Sequence, residues 1–188
     1  MNPLIAAISN FGNLSEDLLL DIDSRLKYVS YKKKDLILRE GEICNHLFFV
    51  TKGLLRSYYY HQKQEVNSMF MEEGDFVISV LSYYKRVPSY EFIEAIEEVE
   101  LCGFHYDDLN YLYKTYQEFN TIGRQLTESY FCLAEERLKA LRFNDAMGKY
   151  EFLMNKKTNL INRVPLKDLA TYLSITPETL SRMRSSFR

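Results

Sequence analysis

The segment RVPLKDLATYLSITPETLSRMR, residues 163–184, decides how the rest of the chain is read. Val164-Pro165 suits the start of a helix, since proline arrives with a helical φ and lacks only an N–H that the first turn would leave unpaired anyway. Leu166, Leu169, Ala170 and Leu173 then recur at helical spacing and predict one apolar face. Ser174-Ile175-Thr176 leaves room only for a tight turn. Thr176 is placed as the N-cap of a second helix, Pro177 as its first residue, and Leu180 and Met183 face inward. Two short helices about a three-residue turn make helix-turn-helix geometry, with a plain helical hairpin as the alternative that spacing alone allows. On the second helix Pro177, Glu178 and Arg182 occupy exposed early positions, with Thr176 and Thr179 beside them. Arginine can read guanine with two hydrogen bonds and glutamate can accept from cytosine. Lys167, Arg184 and Arg188 suit phosphate.

Charge points the same way. From Lys149 onward the chain carries eight basic and three acidic residues, a net +5, while the first 148 residues carry −7. A basic tail on an acidic body predicts that only the tail meets an anionic partner, against the plainer reading of a solvated charged surface.

Upstream, residues 116–142 read as a long helix. Phe119, Gly123, Leu126, Tyr130, Leu133, Arg137 and Ala140 alternate by four and three, a coiled-coil seam interrupted at Gly123 and Arg137. A second stripe, Phe131, Ala134, Leu138 and Leu141, lies on another face. Two stripes predict two packing partners: the chain's own β-rich part and a twin helix. Phe119, Leu126, Tyr130 and Leu133 are expected at that homodimer interface, with a single wide core face as the alternative. Before this helix, from Lys27 to Phe104, eight short β-branched or aromatic runs are separated by Glu40-Gly41, Lys52-Gly53, Glu73-Gly74 and Val87-Pro88-Ser89. Short strands at near-regular spacing predict a β-sandwich or double-sheet jelly roll. Residues 4–26 read as helix. With 15 Tyr, 12 Phe and no Trp, the core should be rich in aromatic rings.

Other functions are weakly supported. His46, His61 and His105 are scattered, the three cysteines are far apart with no C-x-x-C, and no H-x-H, HExxH or G-x-S-x-G occurs. No catalytic residue, metal site or cofactor is expected, and the chain is not read as an enzyme. No apolar run spans a membrane and no secretory leader is evident, so cytoplasm is the expected compartment.

The three stretches together resemble the Crp/Fnr family of bacterial transcription regulators. Leu36 to Gly53, LILREGEICNHLFFVTKG, resembles the early signature of cyclic-nucleotide-binding domains; Glu135 to Leu141 resembles the family's dimer helix; and residues 163–184 resemble the recognition unit of a short, wingless, Bacteroidetes-like branch. The resemblance implies an α+β chain: a β-roll sensor with flanking helices over residues 1–115, a dimerisation helix over 116–142, and a small helix-turn-helix domain over 143–188. It implies a homodimer on a double-stranded DNA operator, with RNA polymerase as a further partner. Glu178 and Arg182 match the family's base-contacting pair. Pro177 stands where many members carry a base-reading residue, so the operator should differ from theirs.

The sensor pocket departs from the family pattern. Gly74-Asp75-Phe76-Val77 is set against the G-E-L-A of cyclic-nucleotide binders, and Ser89-Tyr90 against their R-S-A, with Ser89 where a phosphate-binding arginine is needed. Glu91 and Glu94 would repel a phosphate, and neither Lys85 nor Arg86 has a spacing that replaces the arginine. Gly74, Asp75, Phe76, Ser89 and Tyr90 are therefore read as a degenerate effector pocket that does not bind cyclic AMP. It takes an unknown neutral or cationic effector lined by Tyr83, Tyr84 and Tyr90, or is filled by those rings. The rival readings are a cyclic-nucleotide or other small-molecule binding module without operator binding, and a double-sheet metalloenzyme.

Overall fold

The computed structural model describes residues 2–186. Two short helices open the chain. Asn2 caps α1 (Pro3–Ser9) and Ser15 caps α2 (Glu16–Arg25), each accepting a backbone N–H with its side-chain oxygen. The helical stretch expected over 4–26, whose second part Asn13 or Ser15 could cap, is thus broken at residues 10–15, and Ser15 is the cap. The break lets both helices lay Leu4, Ile8, Leu18 and Ile22 into one core.

Eight strands follow: β1 (Lys27–Tyr31), β2 (Leu36–Leu38), β3 (His46–Lys52), β4 (Leu55–His61), β5 (Gln64–Met71), β6 (Phe76–Val77), β7 (Phe92–Ala95) and β8 (Val99–His105). They pair antiparallel in two four-stranded sheets, ordered β1-β8-β3-β6 and β2-β7-β4-β5, a jelly-roll-like double sheet. Leu47↔Phe104, Phe48↔Gly103 and Phe49↔Cys102 set the register of β3 on β8. Gly53 makes the β3–β4 turn at φ +92°, with the Glu98 carbonyl 2.3 Å from where a Cβ would stand, so only glycine fits. One expected strand is mostly absent. Phe76–Val80 pairs over two residues only, then α3 (Val80–Lys85) begins. The reason is periodicity: Ser79, Ser82 and Tyr83 are buried at a three-and-four spacing, while Val80, Leu81 and Tyr84 are exposed.

After β8 come α4 (Tyr106–Thr115) and the 27-residue α5 (Gln117–Phe143), about 40 Å long at 1.5 Å per residue. The C-terminal elements are α6 (Ala146–Lys157), α7 (Leu160–Arg163), α8 (Leu166–Tyr172) and α9 (Pro177–Ser186). Among the described residues no helix is long and apolar enough to cross a membrane.

Buried side chains form two clusters. The larger joins the inner faces of both sheets to α1, α2, α4 and the start of α5. The smaller contains Tyr150, Leu153, Leu160, Leu169, Tyr172, Leu180 and Met183 together with Leu54 and Phe70 of the double sheet. The C-terminal helices therefore share a core with the roll, and the Phe70 and Tyr172 rings meet edge-on at 5.1 Å.

The seam expected at a dimer interface turns inward. Phe119 is 4% exposed inside the larger cluster, against the Tyr113 ring. Leu126, Tyr130 and Leu133 are half-buried on the chain's own body, and the Tyr130 hydroxyl accepts the Phe76 N–H at 3.1 Å. The outward stripe is the second one, with Phe131 at 66% and Leu138 at 41% exposed. Phe119 is thus taken into the chain's own core, while Leu126, Tyr130 and Leu133 keep part of their surface; a heptad pattern marks an apolar stripe, and the chain's own elements cover part of this one.

Candidate nucleic-acid interface and effector pocket

The C-terminal helices are built as their residues predict. Leu169, Ala170, Tyr172 and Leu173 bury one face of α8. The turn closes with Ile175 N–H donating to Ala170 O at 3.0 Å, and Ser174 takes a left-handed φ of 54°. Thr176 Oγ1 then accepts the Thr179 N–H at 3.2 Å, capping α9. Thr176 is thereby the cap of α9 and stays exposed. Leu180 and Met183 pack inward beside Tyr150 and Leu153. Thr176, Glu178 and Arg182 are exposed, while Pro177, Thr179 and Arg184 are half-buried along the same helix. Its own backbone amide and the Thr176 hydroxyl hold the Glu178 carboxyl below the usual carboxylate range. Lys167 is exposed on α8. Arg188 lies outside the described residues.

The basic tail is partly spent on the chain itself. Arg163 holds Glu73 with both terminal nitrogens at 2.7 and 3.0 Å and reaches Glu97 at 2.7 and 3.1 Å. That pairing pulls the Glu73 carboxyl down to about 2 and raises the Arg163 guanidinium further. Lys157 pairs with Asp75 and with Glu72, and Lys156 with Glu136. On α8 the Thr171 hydroxyl accepts the Asn67 side-chain N–H at 2.9 Å, and Asp168 lies 3.5 Å from Arg56. Charge counting along the sequence cannot foresee this, because the partners of Arg163 and Lys157 sit some 60–90 residues away, and that of Lys156 lies on another helix.

The expected effector pocket is not one place. Gly74 and Asp75 form the β5–β6 turn, where Asp75 accepts the Glu72 N–H at 2.9 Å and pairs with Lys157. Its carboxylate is committed to capping that turn and to α6. Phe76 packs edge-on against Phe49 and Tyr130. Ser89 lies elsewhere, 3% exposed, with its hydroxyl 3.2 Å from that of Ser79. Tyr90 is half exposed beside Tyr59. Tyr83 is buried, and burial pushes its hydroxyl pKa up. Arg86 turns away from Ser89: it donates to Cys44 O at 2.9 Å and lies 3.9 Å over the Tyr106 ring.

What gathers around Ser89 is a buried polar cluster that sequence reasoning missed. Glu91, 6% exposed, accepts from Ser79 Oγ at 2.8 Å and from Ser68 Oγ at 2.9 Å, while Ser89 Oγ donates to the Glu91 carbonyl at 2.8 Å. Burial raises the Glu91 carboxyl despite those two hydrogen bonds. The roll thus places its own carboxyl where hydroxyls converge. The sequence signal for a repelling carboxylate was present, but nothing in spacing linked it to Ser68 and Ser79.

A separate cavity of about 380 Å³ opens between β5, α5, α6 and α8. His46 and His105 face each other across β3 and β8 at 5.1 Å, but no group of three His, Cys, Asp or Glu able to hold a metal occurs among the described residues.

Comparison with known proteins agrees with this architecture. Residues 28–116 match the cyclic nucleotide-binding domain family. A probable cyclic nucleotide-gated ion channel 3 of Arabidopsis thaliana is 31% identical over 126 residues, which is 63% of this chain. The chain spans 18% of the length of the curated relatives it matches. Among solved structures, FixK2 of Bradyrhizobium japonicum superposes with a TM-score of 0.74 at 21% identity, covering 86% of this chain and 84% of that one. A protein described as a Crp/Fnr-family transcriptional regulator, from Eubacterium rectale, gives 0.69 at 18% identity over 93% and 83%. Residues 28–116 are thus similar to cyclic nucleotide-binding domains, in a chain that has the mixed α+β fold of Crp/Fnr-type regulators.

Proposed function

We propose that this chain is a sequence-specific DNA-binding transcription regulator of the Crp/Fnr type, acting as a homodimer and not as an enzyme. In this reading α8 and α9 are a helix-turn-helix, α9 enters the major groove, and Glu178 and Arg182 read base edges while Lys167 and Arg184 touch phosphate. The observation that carries it is α9: Leu180 and Met183 anchor one side in a core, and the other side presents Thr176, Glu178 and Arg182 outward. The fold shared with regulators supports the same reading. The sensor does not take cyclic AMP, because Glu91 already receives the hydroxyls of Ser68 and Ser79 and no cation among the described residues joins it there. A phosphate brought beside that carboxylate would lack compensation.

The test is selection of DNA from a random library by the purified protein, followed by footprinting. Two half-sites about one helical turn apart are expected, since a two-fold dimer presents two α9 helices. Binding with no sequence preference at physiological salt overturns the reading. Calorimetry with cyclic AMP and cyclic GMP should show no micromolar binding.

A further inference from the structure

The cavity between β5, α5, α6 and α8 contains a cation that has no counter-charge among the described residues. Its walls include Met69, Tyr130, Leu133, Phe152 and Tyr172, and Arg137 of α5 lines it among them. The Arg137 guanidinium lies 4.1 Å over the Tyr172 ring, and one of its terminal nitrogens meets only the Met69 sulfur, at 3.9 Å. Its Nε is buried without a hydrogen-bond partner. Among the described residues no carboxylate is within ion-pair range of it. The two lysines in the same lining are different: Lys156 is paired with Glu136, and Lys157 with Asp75 and Glu72.

An uncompensated charge in apolar surroundings is expensive, and buried donors are ordinarily satisfied. A guanidinium presents a fork that matches a carboxylate with two parallel hydrogen bonds. The Tyr130 hydroxyl accepts from Phe76 N–H and keeps its own proton to donate. The cavity volume falls within the range of small-molecule sites, and mainly apolar walls with a few polar groups are what such sites have.

From this juxtaposition we infer that the cavity binds a small amphipathic carboxylate, an acid group on an aromatic or aliphatic body, with its charge on Arg137. The body lies against Leu133, Phe152 and Tyr172, so one molecule touches the long helix, α6 and α8 together. Calling it the effector rests on the regulator reading above; its binding does not.

The probes are 3-phenylpropionate and decanoate, with 3-phenylpropionamide and 1-decanol as uncharged counterparts, assayed on the full chain by thermal shift and calorimetry. At ten times its dissociation constant an acid should raise the thermal midpoint by about 4 °C, and its uncharged counterpart should not. Arg137→Gln should weaken acid binding at least tenfold and Arg137→Lys less. Arg137→Met should leave the ligand-free midpoint unchanged or higher, which guards against reading misfolding as lost binding. Failure of both acids, equal binding of acid and uncharged counterpart, or undiminished binding by Arg137→Gln overturns the proposal. So does a large fall in the Arg137→Met midpoint, which would give the side chain a structural role. Acid binding by a protein that selects no DNA upholds the site and removes the regulator; selection of DNA with no acid binding removes the site alone.

Discussion

Two carboxyls in this chain titrate with opposite consequences. Glu91 is buried and its pKa is raised, so its ionised form costs stability: the cost is absent below the unfolded value and grows as pH rises through the folded one. Glu91→Gln should therefore raise the thermal midpoint at pH 7, and the gain should vanish below pH about 4.5, where the parent carboxyl is neutral in both states. Glu73 is the reverse. Arg163 depresses it to about 2, so its contribution is present above the unfolded value and is lost as pH falls toward 2. Glu73→Gln should lower the midpoint at pH 7 and converge with the parent in acid, by a small amount, since an exposed pair contributes at most about 1 kcal/mol. Thermal unfolding of both variants from pH 7 to pH 3 checks the two signs. On DNA, Arg182→Ala should cost about 1–3 kcal/mol on the selected operator and relax one base position, while Lys167→Ala weakens all sequences alike and flattens the salt dependence. Gel-shift titrations across salt separate these outcomes; two variants that bind like the parent would show that α9 does not read the operator.

At the scale of elements, α5 carries the sharpest expectation. Its four-and-three seam was legible in the sequence, and so was the second stripe. Which one faces a partner was not, because amphipathic periodicity says that a face is apolar and is silent about what covers it. With Phe119, Leu126, Tyr130 and Leu133 at least half-buried on the chain's own body, α5 leaves Phe131 and Leu138 of the second stripe exposed, together with Phe143 at its end. Phe131→Asp with Leu138→Asp should give a folded monomer in analytical ultracentrifugation. Leu133→Asp should instead destabilise the fold, by putting a charge against β5 and α6. A dimer that survives the paired Asp variant would move the interface off α5. The segment 76–80 makes the same point more mildly. Its β-branched and aromatic content reads as strand, but only Phe76 and Val77 pair, and burial of Ser79, Ser82 and Tyr83 on one side turns the chain into α3 from Val80.

Across the whole molecule, the C-terminal helices are held to the roll by a shared core and by ion pairs that radiate from Arg163 and Lys157 to the acidic turns. Arg163→Ala leaves Glu73 and Glu97 unpaired and loosens α7 and α8 from β5. Amide hydrogen exchange should then quicken in α8 and α9 and stay unchanged in β3 and β8, where protection comes from the sheet core. Uniform quickening throughout would show that the two parts open as one unit.

Sequence alone determined the local pieces: a capped helix start at Asn13 or Ser15 and another at Thr176, the run of short strands with glycine turns at Gly41, Gly53 and Gly74, the long amphipathic α5, and the two-helix turn at residues 165–186. Each depends on interactions within a few residues, where spacing, capping and backbone preference act. Tertiary structure decided what those pieces meet. It committed Asp75 to Lys157, brought Ser68, Ser79 and Ser89 around Glu91, spent Lys157 and Arg163 on the chain's own acids, and left Arg137 without one among the described residues. These are contacts between residues far apart in the chain, and charge or burial is settled only when the partner's position is known.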